Sequence, residues 1–261
     1  MKRILFNRKY SGVFWGIFFA ILFMVNALWA LEFFRESAIA WYVFNSMQRI
    51  VFGIVILFIC KKLYGRTIKD ILRLEGSKKA IVAGTGLIFV SLYLLLFYGL
   101  AIKAIEGLSV GLFVSHIILQ QLTTGFYEEL NFRVLITEGY FCGPQKIKNK
   151  FIYALLSFVL FGLAHLVGGG DLSTFFVTGA FGFTYAVMYL NSRNIVMPML
   201  FHFIYDIIAN MNRYVMEWEE SAINVALYNQ INTVYICMFA VSVVMLLKSE
   251  KDRGVVLNSE T

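Results

Sequence analysis

Apolar residues fall in unbroken blocks of about 20, long enough to cross a hydrocarbon core of roughly 30 Å as helix. The blocks lie at approximately 11–31, 39–60, 80–102, 108–137, 151–167, 172–191, 194–212 and 223–247. Backbone groups inside lipid must be satisfied within the segment, which selects helix, and no alternating short strands of the membrane-barrel kind are visible. The pattern therefore predicts an all-α, polytopic transmembrane helical bundle of about eight spans. Short polar connections separate the blocks, and their charges alternate. Lys2, Arg3, Arg8 and Lys9 lead the chain. The second connection carries Lys61, Lys62, Arg66, Lys69, Arg73, Lys78 and Lys79; the fourth Lys146, Lys148 and Lys150; the sixth Arg193; the tail Lys248, Lys251 and Arg253. The intervening connections are acidic or sparse: Glu32 and Glu36, Glu106, Asp171, then Glu217, Glu219 and Glu220. Positive charge is retained on the cytoplasmic side, so the alternation predicts an even number of spans with both termini cytoplasmic.

Three local features complete this reading. Gln48 and Arg49 sit near the middle of the second block, where an unpaired charge is costly; either that block bends or Arg49 finds a partner inside the bundle. The sixth and seventh blocks are separated only by Asn191–Asn194, which requires a tight turn. Lys61–Lys79 reads as a basic amphipathic helix lying on the membrane surface.

Composition agrees and narrows the class. Of 261 residues, 59% are hydrophobic and only 15% charged, against about a quarter charged in soluble domains. The net charge of +7 is spread over the connections, as an anionic inner leaflet would place it, so no nucleic-acid partner is implied. Cys60, Cys142 and Cys237 show no pair spacing and read as small apolar residues. The stretch after Met1–Tyr10 is too long for a signal h-region and reads as a retained first span. No internal repeat or soluble domain is visible, so residues 1–261 form a single integral membrane domain, placed by size and topology in a bacterial cell membrane.

Ionisable residues inside spans are expensive, which makes each a candidate for function. The fourth block holds Glu128, Glu129 and Arg133, the fifth ends in Phe161-Gly-Leu-Ala-His165, and the seventh holds His202-Phe-Ile-Tyr-Asp206. Glu129 and Arg133 are four apart and can neutralise one another; so are His202 and Asp206, letting Asp206 orient the imidazole. Glu128 is turned about 100° from Glu129 and is free to face the interior. Phe161 packs beside His165. The two histidines and Glu128 fall at similar depth, where a desolvated carboxylate and imidazoles can activate water. Glu128, His165 and His202 also have the ligand types of a catalytic zinc site, although no H-E-x-x-H motif is present. His116 has no acidic neighbour at helical spacing and reads as structural.

Over roughly residues 108–212 the sequence resembles the CAAX protease and bacteriocin-processing family, also called the Abi or type II CAAX endopeptidase family. Its three motifs, E-E-x-x-x-R, F-x-x-x-H and H-x-x-x-N or H-x-x-x-D, occur in order as Glu128-Glu129…Arg133, Phe161…His165 and His202…Asp206. The resemblance implies an eight-helix intramembrane endopeptidase whose cavity opens toward the cytosolic leaflet. It implies Glu128 as general base for water assisted by His165, His202 and Asp206 at the oxyanion, and Glu129, Arg133 and Phe161 in support. The best-understood eukaryotic members carry Asn where this chain has Asp206. An ionised Asp repels an oxyanion, so Asp206 is protonated, orients His202, or helps hold a metal. The family is often labelled a metalloprotease family, and a divalent metal such as zinc stays open beside direct glutamate–histidine activation.

The expected activity is hydrolysis of a membrane-associated peptide or protein precursor, such as a peptide pheromone, a bacteriocin or a lipidated precursor. Two other classes compete. One is a non-enzymatic self-immunity protein, scaffold or regulator, which has no need of the buried polar set. The other is a transporter with a midplane proton site, which lacks the expected repeat.

Overall fold

The computed structural model describes residues 11–101, 109–140, 147–211 and 222–259. Lys2, Arg3, Arg8, Lys9, Glu106, Cys142, Lys146, Glu217, Glu219 and Glu220 lie outside the described residues. Among the described residues there is helix and no strand. The helices are α1 (Ser11–Phe33), α2 (Ala38–Tyr64), α3 (Ser77–Ala83), α4 (Thr85–Ala101), α5 (110–140), α6 (Ile147–Val167), α7 (Leu172–Ser192), α8 (Val196–Met211) and α9 (Ala222–Ser259). Each apolar block of the sequence thus forms helix.

Among the described residues, α1, α2, α6, α7 and α9 are long and apolar enough to cross a membrane. The expected third span is instead a bent pair, α3 and α4, meeting at 63° and making a sixth crossing if the two are counted together. The expected fourth span, α5, changes helix type along its length, with π-helical stretches at Phe113–Gln120 and Leu130–Leu135. The expected seventh, α8, has 16 residues. The chain is an all-α integral membrane protein.

Lys61–Lys79 is not one surface helix. Gly65, at φ 69°, closes α2 with its N–H on the Cys60 and Lys61 carbonyls, a left-handed conformation that suits a residue without Cβ. Thr67 and Asp70 then form a capping box around the single turn Ile68–Ile71, and the chain turns again before α3. The local caps override the amphipathic spacing.

Two ends of the bundle can be told apart by their contacts. At one end Arg73 Nε donates to the Arg193 carbonyl (3.1 Å), and Asn194 Nδ2 donates to the Glu75 carbonyl (3.2 Å) and to Ser77 Oγ (3.1 Å). Glu138, near the end of α5, receives Arg66 at 3.7 Å, Arg193 at 4.0 Å and the Tyr189 hydroxyl at 3.4 Å. The connections 65–76 and 193–195, the end of α5 and the start of α6 therefore share one basic end. The α1–α2 and α6–α7 connections occupy the other. There Asp171 caps α7, accepting from the Thr174 backbone N–H and hydroxyl, each at 2.7 Å. Those bonds hold the Asp171 carboxyl below its usual range. The cap is therefore complete at neutral pH and is lost as acidification passes through that lowered pKa.

The core has two parts, and α5 runs between them. Tyr127, Leu130, Val134 and Leu135 pack with α1, α2 and Tyr189 of α7, while Phe132 and Ile136 pack with α3, α4, α6, α7, α8 and α9. Glu128, Glu129 and Arg133 fall at the seam.

Candidate active site

The seam exists because α5 and α8 approach closely. A Cβ on Gly125 would lie 2.8 Å from the Met199 carbonyl oxygen of α8 and 3.6 Å from His202 Cβ. Glycine at this position lets α8 bring His202 against the carboxylates one turn farther along α5. Gly125→Ala is expected to cost about 1–3 kcal/mol through overpacking against backbone. Thermal unfolding in detergent measures it, and an unchanged melting temperature would show that the helices do not meet through this contact.

His202 is the hub. Its Nδ1 donates to Glu129 Oε1 at 2.9 Å, and its Nε2 stands 3.4 Å from Asp206 Oδ2 and 3.8 Å from Glu128 Oε2. The Tyr185 ring stacks on the imidazole, with centroids 5.0 Å apart and planes 16° apart. The two pairs expected from four-residue spacing, Glu129 with Arg133 and His202 with Asp206, both form. Glu129 Oε2 lies 3.2 Å from Arg133 Nε, and both side chains are wholly buried. The Arg133 guanidinium lies over the Phe161 ring at 4.4 Å and the Tyr185 ring at 5.2 Å, aromatic faces that attract a cation.

His165 stands apart from the hub, near the end of α6. Its Nδ1 donates to the Phe161 carbonyl at 2.9 Å, which leaves Nε2 as the basic nitrogen of the neutral ring. The Phe161 ring contacts both imidazoles, at 4.5 Å from His165 and 5.9 Å from His202. Glu128 and His165 line the same cavity, of about 550 Å³, together with Tyr127, Phe132 and residues of α1. Glu128 Oε2 is buried and has no hydrogen-bond partner among the described residues. His116 is buried, its ring stacked on Tyr42 at 4.2 Å.

Two contributors were not assigned from sequence. Tyr185 carried no charge to mark it. Arg49 was marked by its charge, and its place is now defined. It is 8% exposed, its guanidinium lies 4.7 Å over Phe23, and it sits within electrostatic reach of Glu128 and Asp206. Three carboxylates (Glu128, Glu129, Asp206) thus face two guanidiniums (Arg49, Arg133). One proton held between His202 Nε2 and Asp206, 3.4 Å apart, neutralises the set, and it also prevents a bare imidazole lone pair from facing a carboxylate. Arg49→Met removes one of the two fixed positive charges and is expected to cost about 3–5 kcal/mol, with Arg49→Lys recovering much of it. Equal denaturant stability of the Met variant and the parent would refute this balance.

Of the expected ligand set Glu128, His165 and His202, His202 Nδ1 is bonded to Glu129 and His165 Nδ1 to the Phe161 carbonyl, which leaves the two Nε2 atoms and Glu128 Oε2 as the donors a metal would use. Among the described residues no three His, Cys, Asp or Glu side chains already converge on one metal position.

Residues 109–208 match the family model described as Type II CAAX prenyl endopeptidase Rce1-like. The resemblance carried by the three motifs is thereby borne out over α5 to α8, and the family is one of proteases. No curated protein and no solved structure matches the chain.

Proposed function

We propose that the chain is an intramembrane endopeptidase, with eight helical passes and both termini on the basic, cytoplasmic side, that hydrolyses a membrane-associated peptide precursor. One observation carries this reading. Glu128, with an unpartnered carboxylate oxygen, and His165, with its basic nitrogen fixed by the Phe161 carbonyl, line one cavity. A water between them loses its proton to Glu128 as it attacks the scissile carbonyl. The same proton then passes to the departing amine, so Glu128 serves first as base and then as acid. His165 accepts a hydrogen bond from the attacking water and aligns it. The proton shared by His202 Nε2 and Asp206 lies behind Glu128, where its charge offsets the negative charge growing on the tetrahedral intermediate. Asp206 in this reading orients and balances His202 and does not touch the oxyanion. No step here is routed through a metal, and the chelator lanes below decide between this direct route and a metal-assisted one.

The test is cleavage of candidate precursor peptides, a pheromone or bacteriocin precursor among them, by purified protein in proteoliposomes, with and without chelator. Wild type should cleave in both lanes, and His165→Ala should lose about 10²-fold or more. Loss of wild-type activity with chelator would replace the direct mechanism by a metal-assisted one. Full function in cells of a Glu128/His165 double variant would instead favour a scaffold or immunity role.

A further inference from the structure

The resemblance to the CAAX family implied a cavity open to the cytosolic leaflet, but the cavity at Glu128 does not open toward the basic end. Its lining on α1 runs from Ala20 to Leu31, about 17 Å at 1.5 Å per residue, or roughly half a hydrocarbon core. The deep wall is buried: Tyr127 is 2% exposed and Phe132 5%. The rim is exposed, with Leu28 at 69%, Leu31 at 53% and Val167 at 73%. Leu28 and Leu31 belong to the last turns of α1, Trp41 to the first turn of α2, and Val167 with Gly168 and Gly169 to the end of α6. All of these lie at the end opposite the basic connections.

The basic end is sealed behind the site. Arg133, Thr137, Lys150 and Tyr153 are wholly buried. Tyr153 OH donates to the Arg133 carbonyl, cross-linking the start of α6 to α5, and Thr137 Oγ1 of α5 donates to the same carbonyl. Beyond them Glu138, with Arg66, Arg193 and Tyr189 around it, ties the connections together.

Charge says which side of the membrane each end faces. Among the described residues the basic end carries Lys61, Lys62, Arg66, Lys69, Arg73, Lys78, Lys79, Lys150 and Arg193 against Asp70, Glu75 and Glu138. The opposite connections carry Glu32, Glu36 and Asp171 against Arg35. An excess of that size on one end sets it on the cytoplasmic side.

We propose that the active site is loaded from the non-cytoplasmic side, by an apolar segment of an exported peptide entering between the ends of α1 and α6. This rests on the endopeptidase reading and adds the side and chemistry of its substrate. The wall is apolar apart from a few polar side chains, Glu128 and His165 among them, so it favours an apolar segment. Its length along α1 holds about five residues of extended chain at roughly 3.3 Å each. The peptide bond to be cut then lies at the bottom, beside Glu128.

Two measurements on oriented membrane vesicles decide it. In the first, Cys60, Cys142 and Cys237 are replaced by alanine, and Val167→Cys or Lys78→Cys is added. A membrane-impermeant maleimide should label Val167→Cys in right-side-out vesicles and Lys78→Cys only in inside-out ones; the reverse pattern overturns the proposal. In the second, unmodified protein is given an apolar peptide with a charged tag that keeps it from crossing the bilayer. Cleavage at least tenfold faster in right-side-out than inside-out vesicles is expected, and faster cleavage in inside-out vesicles overturns the assignment of side. Detergent-solubilised protein is the control. If it cleaves none of the peptides, the endopeptidase reading falls and the substrate claim with it, while maleimide labelling still decides the side on which the cavity opens.

Discussion

Glu128→Gln is expected to lower peptide cleavage by about a thousandfold while leaving the folded protein intact. The size follows from removing a general base that serves in both halves of the reaction, a role worth roughly 10²–10⁴-fold. The intact fold follows from the surroundings. Among the described residues Glu128 Oε2 has no hydrogen-bond partner, and His202 Nε2 stands 3.8 Å away, so a glutamine of the same shape breaks no hydrogen bond at that oxygen. The charge balance also survives. Without Glu128, two carboxylates face Arg49 and Arg133, and the shared proton is no longer needed for neutrality. Turnover of a precursor peptide and the denaturation midpoint in detergent measure the two halves of this prediction separately. Activity within tenfold of wild type would remove Glu128 from the mechanism, and a collapsed midpoint would show that its charge holds the fold.

The parts of this arrangement legible in the sequence are those governed by local spacing. Apolar runs located the helices within a few residues, because length in a hydrocarbon core is set by the bilayer; the exception is α9, which continues to Ser259, beyond the apolar run that ends at 247. Helical period placed Glu129 on Arg133, Asp206 on His202 and Phe161 beside His165, because a four-residue step needs no knowledge of the rest of the chain. Glu129 and His202, 73 residues apart, could not be paired that way. Their contact depends on Gly125 allowing α8 close to α5, a property of two helices that neither reveals alone. Arg49 was conspicuous by its cost, yet its balancing carboxylates lie on α5 and α8. Tyr185 is one buried aromatic among many, and only the stacked geometry distinguishes it. Lys61–Lys79 misled because the capping groups at Gly65 and Thr67 act more strongly than an amphipathic pattern. The side on which the cavity opens was also hidden, since it depends on which helix ends part and which are cross-linked.

Glu129→Gln should do the opposite of Glu128→Gln: it should destabilise the protein by about 3–5 kcal/mol, the cost of breaking a buried pair. The two glutamates are adjacent in sequence, and the same substitution separates their roles. Glu129 is wholly buried, accepts from His202 on one oxygen and faces Arg133 on the other. Glutamine can still accept from His202 Nδ1, so the loss is mainly the charge opposite Arg133. Among the described residues none of the three Arg133 guanidinium nitrogens has a hydrogen-bond partner, so the Phe161, Tyr185 and Phe132 rings and the Glu129 carboxylate form its immediate support. Removing the carboxylate strands a cation at membrane depth. Arg133→Met strands the anion instead and should cost a similar amount. The double variant Glu129→Gln/Arg133→Met removes both charges and leaves an apolar side chain against these rings, an exchange that is often close to neutral for buried pairs. Its loss should therefore fall short of the sum of the single losses by at least about 2–3 kcal/mol, the upper range for residues in direct contact. A double-mutant cycle in detergent measures that coupling directly. A value under about 0.5 kcal/mol, as expected for independent sites, would mean that Glu129 and Arg133 do not stabilise the bundle as a pair, and that the immobilisation of His202 must be sought in Tyr185 and Asp206 alone.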